Sequence, residues 1–206
     1  MIFKTIVVGS MQNNCYIIGD EKNKKVIVVD PGDEGPKILN YLNAECLKVD
    51  MIILTHGHAD HIGSVKYLRE KTGAKVGIHS SERSALVDSV ENLSLMLGYE
   101  CNQGEADFLI NDEDIIKVGN IEIKVFHTPG HTLGGICLLA DKILITGDTL
   151  FYHNIGRTDL KGGNYETLVH SIKEKLMVLD DDVIVYPGHG SSSTIGEERN
   201  ENPYIK

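Results

Sequence analysis

The apolar residues of this chain fall into short runs that alternate with segments of helical spacing. Runs rich in β-branched residues predict strands over 1–8, 26–29, 51–54 and 76–79. Two segments between these runs carry apolar residues three or four positions apart, which is typical of an amphipathic helix. They predict one helix over about 33–43 and a second from about 62 to 68. The first half of the chain therefore alternates strand and helix.

The second half repeats this alternation. Residues 121–126 alternate with period two, and the runs 136–139 and 142–145 predict a hairpin. A helix is expected over 165–176 and a last strand over 182–186. The stretch 92–114 lacks a clear period, so we expect loops and short pieces there. We interpret the whole chain, 1–206, as one domain with two similar halves, roughly 1–115 and 116–206.

Polar residues with metal-binding chemistry follow four of the predicted strands. They are His56, His131, Asp148 and His189, and each stands beside glycine or proline or within two residues of one. Loops at strand ends, held by a rigid sheet, are where functional sites are usually built. Four such residues at strand ends predict a single site at one edge of the fold.

The first of these loops, T-H-G-H-A-D-H at 55–61, supplies three imidazoles and a carboxylate. In extended backbone His56 and His58 project to the same side, so both rings can reach one ion. A turn into a helix then directs Asp60 and His61 towards a second ion. Imidazole and carboxylate suit Zn²⁺, Fe²⁺ or Mn²⁺, and the absence of cysteine ligands disfavours a purely structural zinc site.

Charge and composition narrow the setting of this site. The chain has 20 Lys plus Arg and 30 Asp plus Glu, a formal charge of −10, which disfavours nucleic acid and anionic membrane surfaces as partners. No apolar run is long enough for a membrane span. The four cysteines are scattered and no export signal is visible, so we expect reduced thiols and a cytoplasmic protein.

The motifs T-H-G-H-A-D-H-I-G, T-P-G-H-T, G-D-T-L-F and P-G-H-G occur in this order between residues 55 and 190. In this the sequence resembles the metallo-β-lactamase superfamily, specifically its glyoxalase II-like branch. The resemblance implies an α/β fold, an αββα sandwich of two mixed β-sheets flanked by helices. It also implies two metal sites: His56, His58 and His131 at the first, Asp60, His61 and His189 at the second, and Asp148 bridging both.

A further family element, V-D-P-G at 29–32, places Asp30 behind the ligand loop, where it would orient a ligand instead of binding metal. The resemblance implies two divalent ions per chain, foremost Zn²⁺, with Fe²⁺ or Mn²⁺ as alternatives. Asp60 and Asp148 would act in catalysis together with a metal-bridging hydroxide that attacks an acyl bond. A thioester of the hydroxyacylglutathione type is expected, because a thiolate leaves without a strong general acid.

The resemblance leaves the substrate open. Longer glyoxalase II enzymes carry an additional helical region that grips glutathione, whereas this sequence ends at Lys206 and matches the short single-domain members. Arg157 is the candidate contact for a substrate carboxylate, and the alternative is a structural arginine paired with Asp159 or a loop carbonyl. The segment G-R-T-D also resembles mononuclear-iron persulfide dioxygenases, which would use His56, His131 and Asp148. A non-catalytic metal-binding module is the third hypothesis. The oligomeric state is open, and β-lactam hydrolysis is not expected.

Overall fold

The computed structural model describes residues 1–206, which divide into two compact units. The first unit comprises 1–110 with 117–122, and the second comprises 111–116 with 123–206. None of the helices combines the length and the apolar character that crossing a membrane requires.

A six-stranded mixed sheet forms the centre of the first unit. Its strands are paired in chain order: β1 (Ile2–Val8), β2 (Asn13–Asp20), β3 (Lys25–Val29), β4 (Lys48–Ile53), β5 (Lys75–His79) and β6 (Phe108–Ile110). The first three strands pair antiparallel, and β3 to β6 pair parallel. The strands predicted for the first half of the chain are confirmed, and most of their valine and isoleucine side chains are buried.

Three helices cover this sheet: α1 (Gly35–Ala44), α2 (Ala59–Ile62) and α3 (Val65–Thr72). Helix α1 has proline in its first turn and buries Ile38 and Leu42, four positions apart. Helix α3 buries Val65 and Leu68 and ends at Gly73, whose positive φ of 71° suits glycine. Both predicted helices are confirmed. Their apolar faces join the buried residues of β1 to β5 in one core.

The stretch 92–114 contains a short 3₁₀ helix, Ser94–Leu97, and strand β6, with loops between them. The expectation of loops and short pieces is therefore confirmed. An earlier 3₁₀ segment, Ser80–Leu86, follows β5.

A second six-stranded mixed sheet contains the strands β7 (Ile115–Val118), β8 (Ile121–His127), β9 (Ile136–Ala140), β10 (Ile143–Gly147), β13 (Ile184–Pro187) and β14 (Ser193–Thr194). Their order across the sheet is β14-β13-β10-β9-β8-β7. The predicted hairpin is confirmed, with Ile143 opposite Ala140 in β10 and β9. Strand β13 returns parallel to β10. Strands β11 (Leu150–Phe151) and β12 (Asn154–Ile155) form a separate small ribbon.

Two helices belong to the second unit: α4 (Tyr165–Ser171), continued by a π-helical turn Ile172–Leu176, and α5 (Ile195–Glu201). The Asn164 side chain caps α4 by accepting from Thr167 N, and the Thr194 hydroxyl caps α5 by accepting from Glu197 N. The predicted helix over 165–176 is confirmed. Its buried face packs with apolar residues of β8, β9, β10 and β13 in a core of its own.

Candidate metal centre

The ligand loop of the first unit follows the parallel neighbours β3 and β4. Asp30 comes directly after β3, and the loop 54–58 comes after β4, so both lie at the same sheet edge. Asp30 is almost completely buried and accepts three hydrogen bonds. Its Oδ1 accepts from Thr55 N at 2.7 Å, and its Oδ2 accepts from Thr55 Oγ1 at 2.6 Å. The third donor is His61 Nδ1, 2.9 Å from Oδ2. Asp30 therefore ties the start of the loop to its end.

The hydrogen bond to Asp30 decides which nitrogen of His61 can bind a metal. A proton on Nδ1 points at the carboxylate, which leaves the lone pair on Nε2. That Nε2 lies 3.7 Å from Asp60 Oδ2. The imidazole is fully buried and the Asp60 carboxylate is 15 % exposed. His61 and Asp60 thus present one nitrogen and one oxygen on the same side of helix α2.

His56 and His58 form the second pair of the same loop. Nε2 of His56 lies 3.1 Å from Nδ1 of His58. Two nitrogens at about 2.05 Å from one tetrahedral ion are about 3.3 Å apart, so this spacing suits two ligands of one ion. The Thr55 hydroxyl lies 3.1 Å from the other nitrogen of His56 and fixes the orientation of that ring.

Two glycines allow the backbone to pack this closely. A Cβ on Gly32 would lie 1.6 Å from the Asp60 carbonyl oxygen, and a Cβ on Gly57 would lie 2.3 Å from Ala85 Cβ. Neither contact is possible for a larger residue. The glycine of the V-D-P-G element therefore allows the turn after β3 to press against the backbone of the proposed ligand Asp60.

The second unit has a cluster of its own at the ends of β8, β10 and β13. Because β10 and β13 are parallel neighbours, Asp148 and His189 emerge at the same edge. Asp148 Oδ1 lies 3.8 Å from His189 Nε2, and its Oδ2 lies 3.7 Å from His131 Nε2. The two oxygens of one carboxylate thus face two different imidazoles, an arrangement suited to a carboxylate that bridges two ions.

His131 is oriented by the loop that follows Asp148. Its Nδ1 donates to the Arg157 carbonyl oxygen at 2.8 Å. As in His61, the lone pair available for a metal is then on Nε2. A Cβ on Gly156 would lie 1.8 Å from the Asp148 carbonyl oxygen and 3.2 Å from His131 Cβ. The loop can reach His131 only because residue 156 is glycine.

The guanidinium of Arg157 makes the alternative contact foreseen for it. Its Nε and Nη2 donate to the two carboxylate oxygens of Asp159, each at 2.8 Å, with both side chains exposed. The hydrogen bond from Arg157 lowers the pKa of Asp159 to about 2. The role of Arg157 in contacting a substrate carboxylate stays a prediction, whereas its carbonyl has a defined partner in His131.

Three residues that support the first loop were not predicted from the sequence. Thr55 is the link between Asp30 and the loop described above. The buried Glu82 accepts from Gly57 N at 3.0 Å. Asn92 is fully buried, and its backbone carbonyl accepts from Ala59 N at 2.9 Å. Thr55 directly precedes His56 and could have been suspected, but no sequence signal marks a glutamate or an asparagine as buried.

The donor set fits divalent metal ions. The groups of His and Asp side chains that could hold an ion are composed of His56, His58, Asp60, His61, His131, Asp148 and His189. These are five imidazoles and two carboxylates, with no thiolate, which suits Zn²⁺, Fe²⁺ or Mn²⁺. In His61 and His131, Nδ1 donates a hydrogen bond to a protein oxygen, so Nε2 can bind a metal.

Two mixed sheets with flanking helices and histidine-rich loops at strand ends define a class of metallohydrolases. The sequence matches the metallo-beta-lactamase superfamily over residues 8–189, and the chain belongs to this superfamily. Members of the superfamily typically bind two metal ions.

The chain is similar to named bacterial proteins over its full length. It is 38% identical to the probable metallo-hydrolase YqgX of Bacillus subtilis, covering 100% of this chain and 98% of that protein. It is 35% identical to the hydroxyacylglutathione hydrolase GloC of Haemophilus influenzae, with the same coverage. The relatives support a metal-dependent hydrolase.

Solved structures share this fold. The B3 metallo-beta-lactamase BLEG-1 has a TM-score of 0.95 at 36% identity, covering 100% of both chains. TTHA1623 in a di-iron-bound form has a TM-score of 0.86 at 29% identity and covers 98% of this chain and 99% of its own. ETHE1 from Myxococcus xanthus has a TM-score of 0.84 at 30% identity and covers 98% and 84%. The predicted metallo-β-lactamase fold class is confirmed.

Proposed function

We propose that this protein is a dinuclear metal-dependent hydrolase that cleaves a thioester of the hydroxyacylglutathione type. His56, His58 and His131 would hold one ion, Asp60, His61 and His189 would hold the other, and Asp148 would serve both. Geometry within each unit supports this division. In the first unit His56 lies beside His58, and Asp60 lies beside His61. In the second unit the Asp148 carboxylate faces both His131 and His189.

Asp148 is the observation that carries the proposal. Each of its two carboxylate oxygens lies within 3.8 Å of a different imidazole nitrogen, His131 on one side and His189 on the other. A carboxylate placed in this way can serve two ions at once. When bound, the two dications would lower the pKa of a shared water and polarise the acyl carbonyl.

The residues of the chain supply orientation and charge. Asp30 and the carbonyl of Arg157 hold His61 and His131 with their Nε2 atoms available as ligands. Asp60 and Asp148 contribute the negative charge that partly offsets two dications. Asp60 can also accept the proton of an attacking water, whereas Asp148 would keep both ions beside that water, and both are proposed catalytic residues.

A thioester is the substrate class that needs least from the protein. A thiolate leaves without protonation, whereas an amide nitrogen needs an acid to donate a proton as the bond breaks. The similarity to the hydroxyacylglutathione hydrolase GloC supports the same class. A small-molecule substrate is in keeping with the acidic net charge of −10, which disfavours nucleic acid.

The decisive experiment combines a substrate panel with variants of the bridging residue. Purified metal-loaded protein is assayed for thiol release from S-lactoylglutathione and other acyl thioesters. Asp148→Asn keeps the shape of the side chain but removes the charge, and we expect activity to fall at least about 100-fold. Asp180→Asn, an exposed acid at the end of another loop, serves as the matched control and should retain full activity. Full activity of Asp148→Asn would refute the bridging assignment.

β-Lactam hydrolysis is a second candidate, because BLEG-1 is named a B3 metallo-beta-lactamase and is 36% identical. Adding a β-lactam to the same panel separates the two activities. The mononuclear-iron persulfide dioxygenase is separated by oxygen uptake with a persulfide. One iron per chain with such uptake, and no thiol release, would replace the thioesterase proposal. Metal binding without any of these activities would favour a non-catalytic module.

Several expectations from the sequence stay predictions. They are the single domain over 1–206 with halves at about residue 115, the cytoplasmic location, and Zn²⁺ as the native metal. The oligomeric state stays open.

A further inference from the structure

A cavity of about 400 Å³ lies in the first unit, with Asp60 in its wall. This volume falls within the roughly 300–1,000 Å³ typical of small-molecule sites. The loop between β1 and β2 forms one wall, and the turn after β3 forms another. The third wall comes from the 3₁₀ segment at Ser94–Leu97 and from Tyr99, which follows it. The cavity therefore contacts a proposed metal ligand and has room for part of a substrate.

Exposed apolar side chains line this cavity. Met11, Leu97 and Tyr99 are 49%, 51% and 46% exposed, and all three belong to its wall. Single exposed apolar residues are common on protein surfaces, but three that converge on one cavity form an apolar patch. Covering them with an apolar group would remove hydrocarbon surface from water, which favours binding of such a group.

The charged residues in the wall are acidic. Asp33 and Asp60 line the cavity, and its lining contains no lysine, arginine or histidine. Lys37 stands close by in sequence, but its ammonium donates to the Val7 carbonyl at 2.8 Å and to Glu34 at 3.1 Å. This cation is therefore engaged by protein oxygens.

Asp33 differs from Asp60 in its role. Asp60 is a proposed metal ligand, so a bound ion offsets its charge, whereas Asp33 is outside the candidate ligand groups. Gly9 packs against Asp33, since a Cβ on Gly9 would lie 2.9 Å from Asp33 Cβ. Burial raises the pKa of Tyr99, and the nearby acidic groups, Asp33 among them, raise it further. The Tyr99 phenol thus stays neutral in a negative environment.

We propose that this cavity holds an uncharged, mostly apolar group of the substrate, and that Asp33 makes the enzyme discriminate against a carboxylate at this position. The inference rests on the proposed thioester hydrolysis. Either the acyl substituent or part of the thiol could supply such a group, and the two sources share the same chemistry.

Two matched pairs of thioesters test the proposal on the metal-loaded protein. In the first pair the thiol is the same and the acyl group is either neutral butyryl or anionic succinyl. In the second pair the acyl group is acetyl and the thiol is either neutral N-acetylcysteamine or anionic 3-mercaptopropionate. We expect kcat/KM to favour the neutral member in the pair whose varied end occupies the cavity. Asp33→Asn should lower the ratio of kcat/KM between the neutral and the anionic substrate by about fivefold. This is the effect expected for removing one charge a few ångströms from the substrate in a solvent-accessible site. Glu70→Gln removes one exposed charge from helix α3 and should leave the preference unchanged.

A second variant and a binding measurement complete the test. Tyr99→Ala should lower kcat/KM for the neutral substrate by about tenfold, because it removes apolar contact area from the wall. Calorimetric titration with the corresponding thioethers, which have no scissile carbonyl, should show the same charge preference in Kd. If thioesters are hydrolysed but neither variant alters discrimination in either pair, the cavity assignment is wrong and the proposed function stands. If no thioester is hydrolysed, the proposed function fails, and this inference fails with it.

Discussion

The carboxylate of Asp30 organises the ligand loop through hydrogen bonds alone, so replacing it with asparagine is a selective perturbation. Asp30 has a φ of 51°, in the left-handed region that aspartate and asparagine both tolerate. Asp30→Asn therefore keeps the backbone and the side-chain size. It removes the negative charge and replaces one acceptor oxygen with an NH₂ group.

The expected loss of stability in Asp30→Asn follows from the three hydrogen bonds that the Asp30 carboxylate accepts. Asparagine can keep the bond from Thr55 N through its remaining oxygen. The oxygen that accepts from both the Thr55 hydroxyl and His61 Nδ1 becomes a donor. Two bonds to a charged acceptor are worth about 3–6 kcal/mol together, and rotation of the hydroxyl recovers part of this. We expect the free energy of unfolding to fall by about 2–4 kcal/mol.

The same change should weaken metal binding. An NH₂ group facing His61 favours the tautomer with its proton on Nε2, the nitrogen proposed to bind metal. Loss of such a supporting partner typically lowers metal affinity by about 10–100-fold. Urea unfolding of the metal-free protein measures the first effect, and competition with a chelator measures the second. If Asp30→Asn matched the wild type in both measurements, the positioning role of Asp30 would be wrong.

Two further predictions test the close packing and the ion pair. Gly32→Ala places a methyl group against the Asp60 carbonyl oxygen, so urea unfolding should show a loss of about 1–3 kcal/mol and metal analysis a loss of bound ion. Gly73→Ala, where a methyl group meets nothing within 4 Å, should lose only about 1–2 kcal/mol from its positive φ and keep its metal. Because its pKa is lowered, the Asp159 carboxylate contributes to the stability of the fold at pH values above 3.8, the ordinary pKa of aspartate. This contribution is lost as the pH falls through about 2. An NMR titration should find the midpoint of Asp159 near 2 and a clear rise towards 3.8 in Arg157→Gln, and an unchanged midpoint would refute the pairing.

Much of the fold could be predicted because its strands are continuous β-branched runs. Strands β3 and β5 are buried on both faces except at their first residue, as are the last two residues of β4, and parallel strands of this kind have few polar positions. Strand β2 was not predicted. It reads N-N-C-Y-I-I-G-D, and asparagine, glycine and aspartate are depleted in strands, yet all eight residues are buried between β1 and β3. Long-range pairing overrides local preference there.

The candidate ligands could be named from the sequence because their motifs are compact and each follows a strand. The supporting contacts could not be named. Glu82 and Asn92 are at least 25 positions away in sequence from the loop residues that they contact. Glu82 accepts through its side chain and Asn92 through its backbone carbonyl. Sequence spacing carries no information about such contacts. For Arg157 the sequence left two alternatives, and the guanidinium is paired with Asp159.

The proposed hydrolysis requires two metal ions that act together, and counting the metal bound to active protein tests this requirement. Metal-free protein is titrated with Zn²⁺, and separately with Fe²⁺ and Mn²⁺, while bound metal per chain and thiol release are measured on the same samples. We expect two ions to bind per chain, with hydrolysis appearing as the second site fills. Full hydrolytic activity at one ion per chain would contradict it.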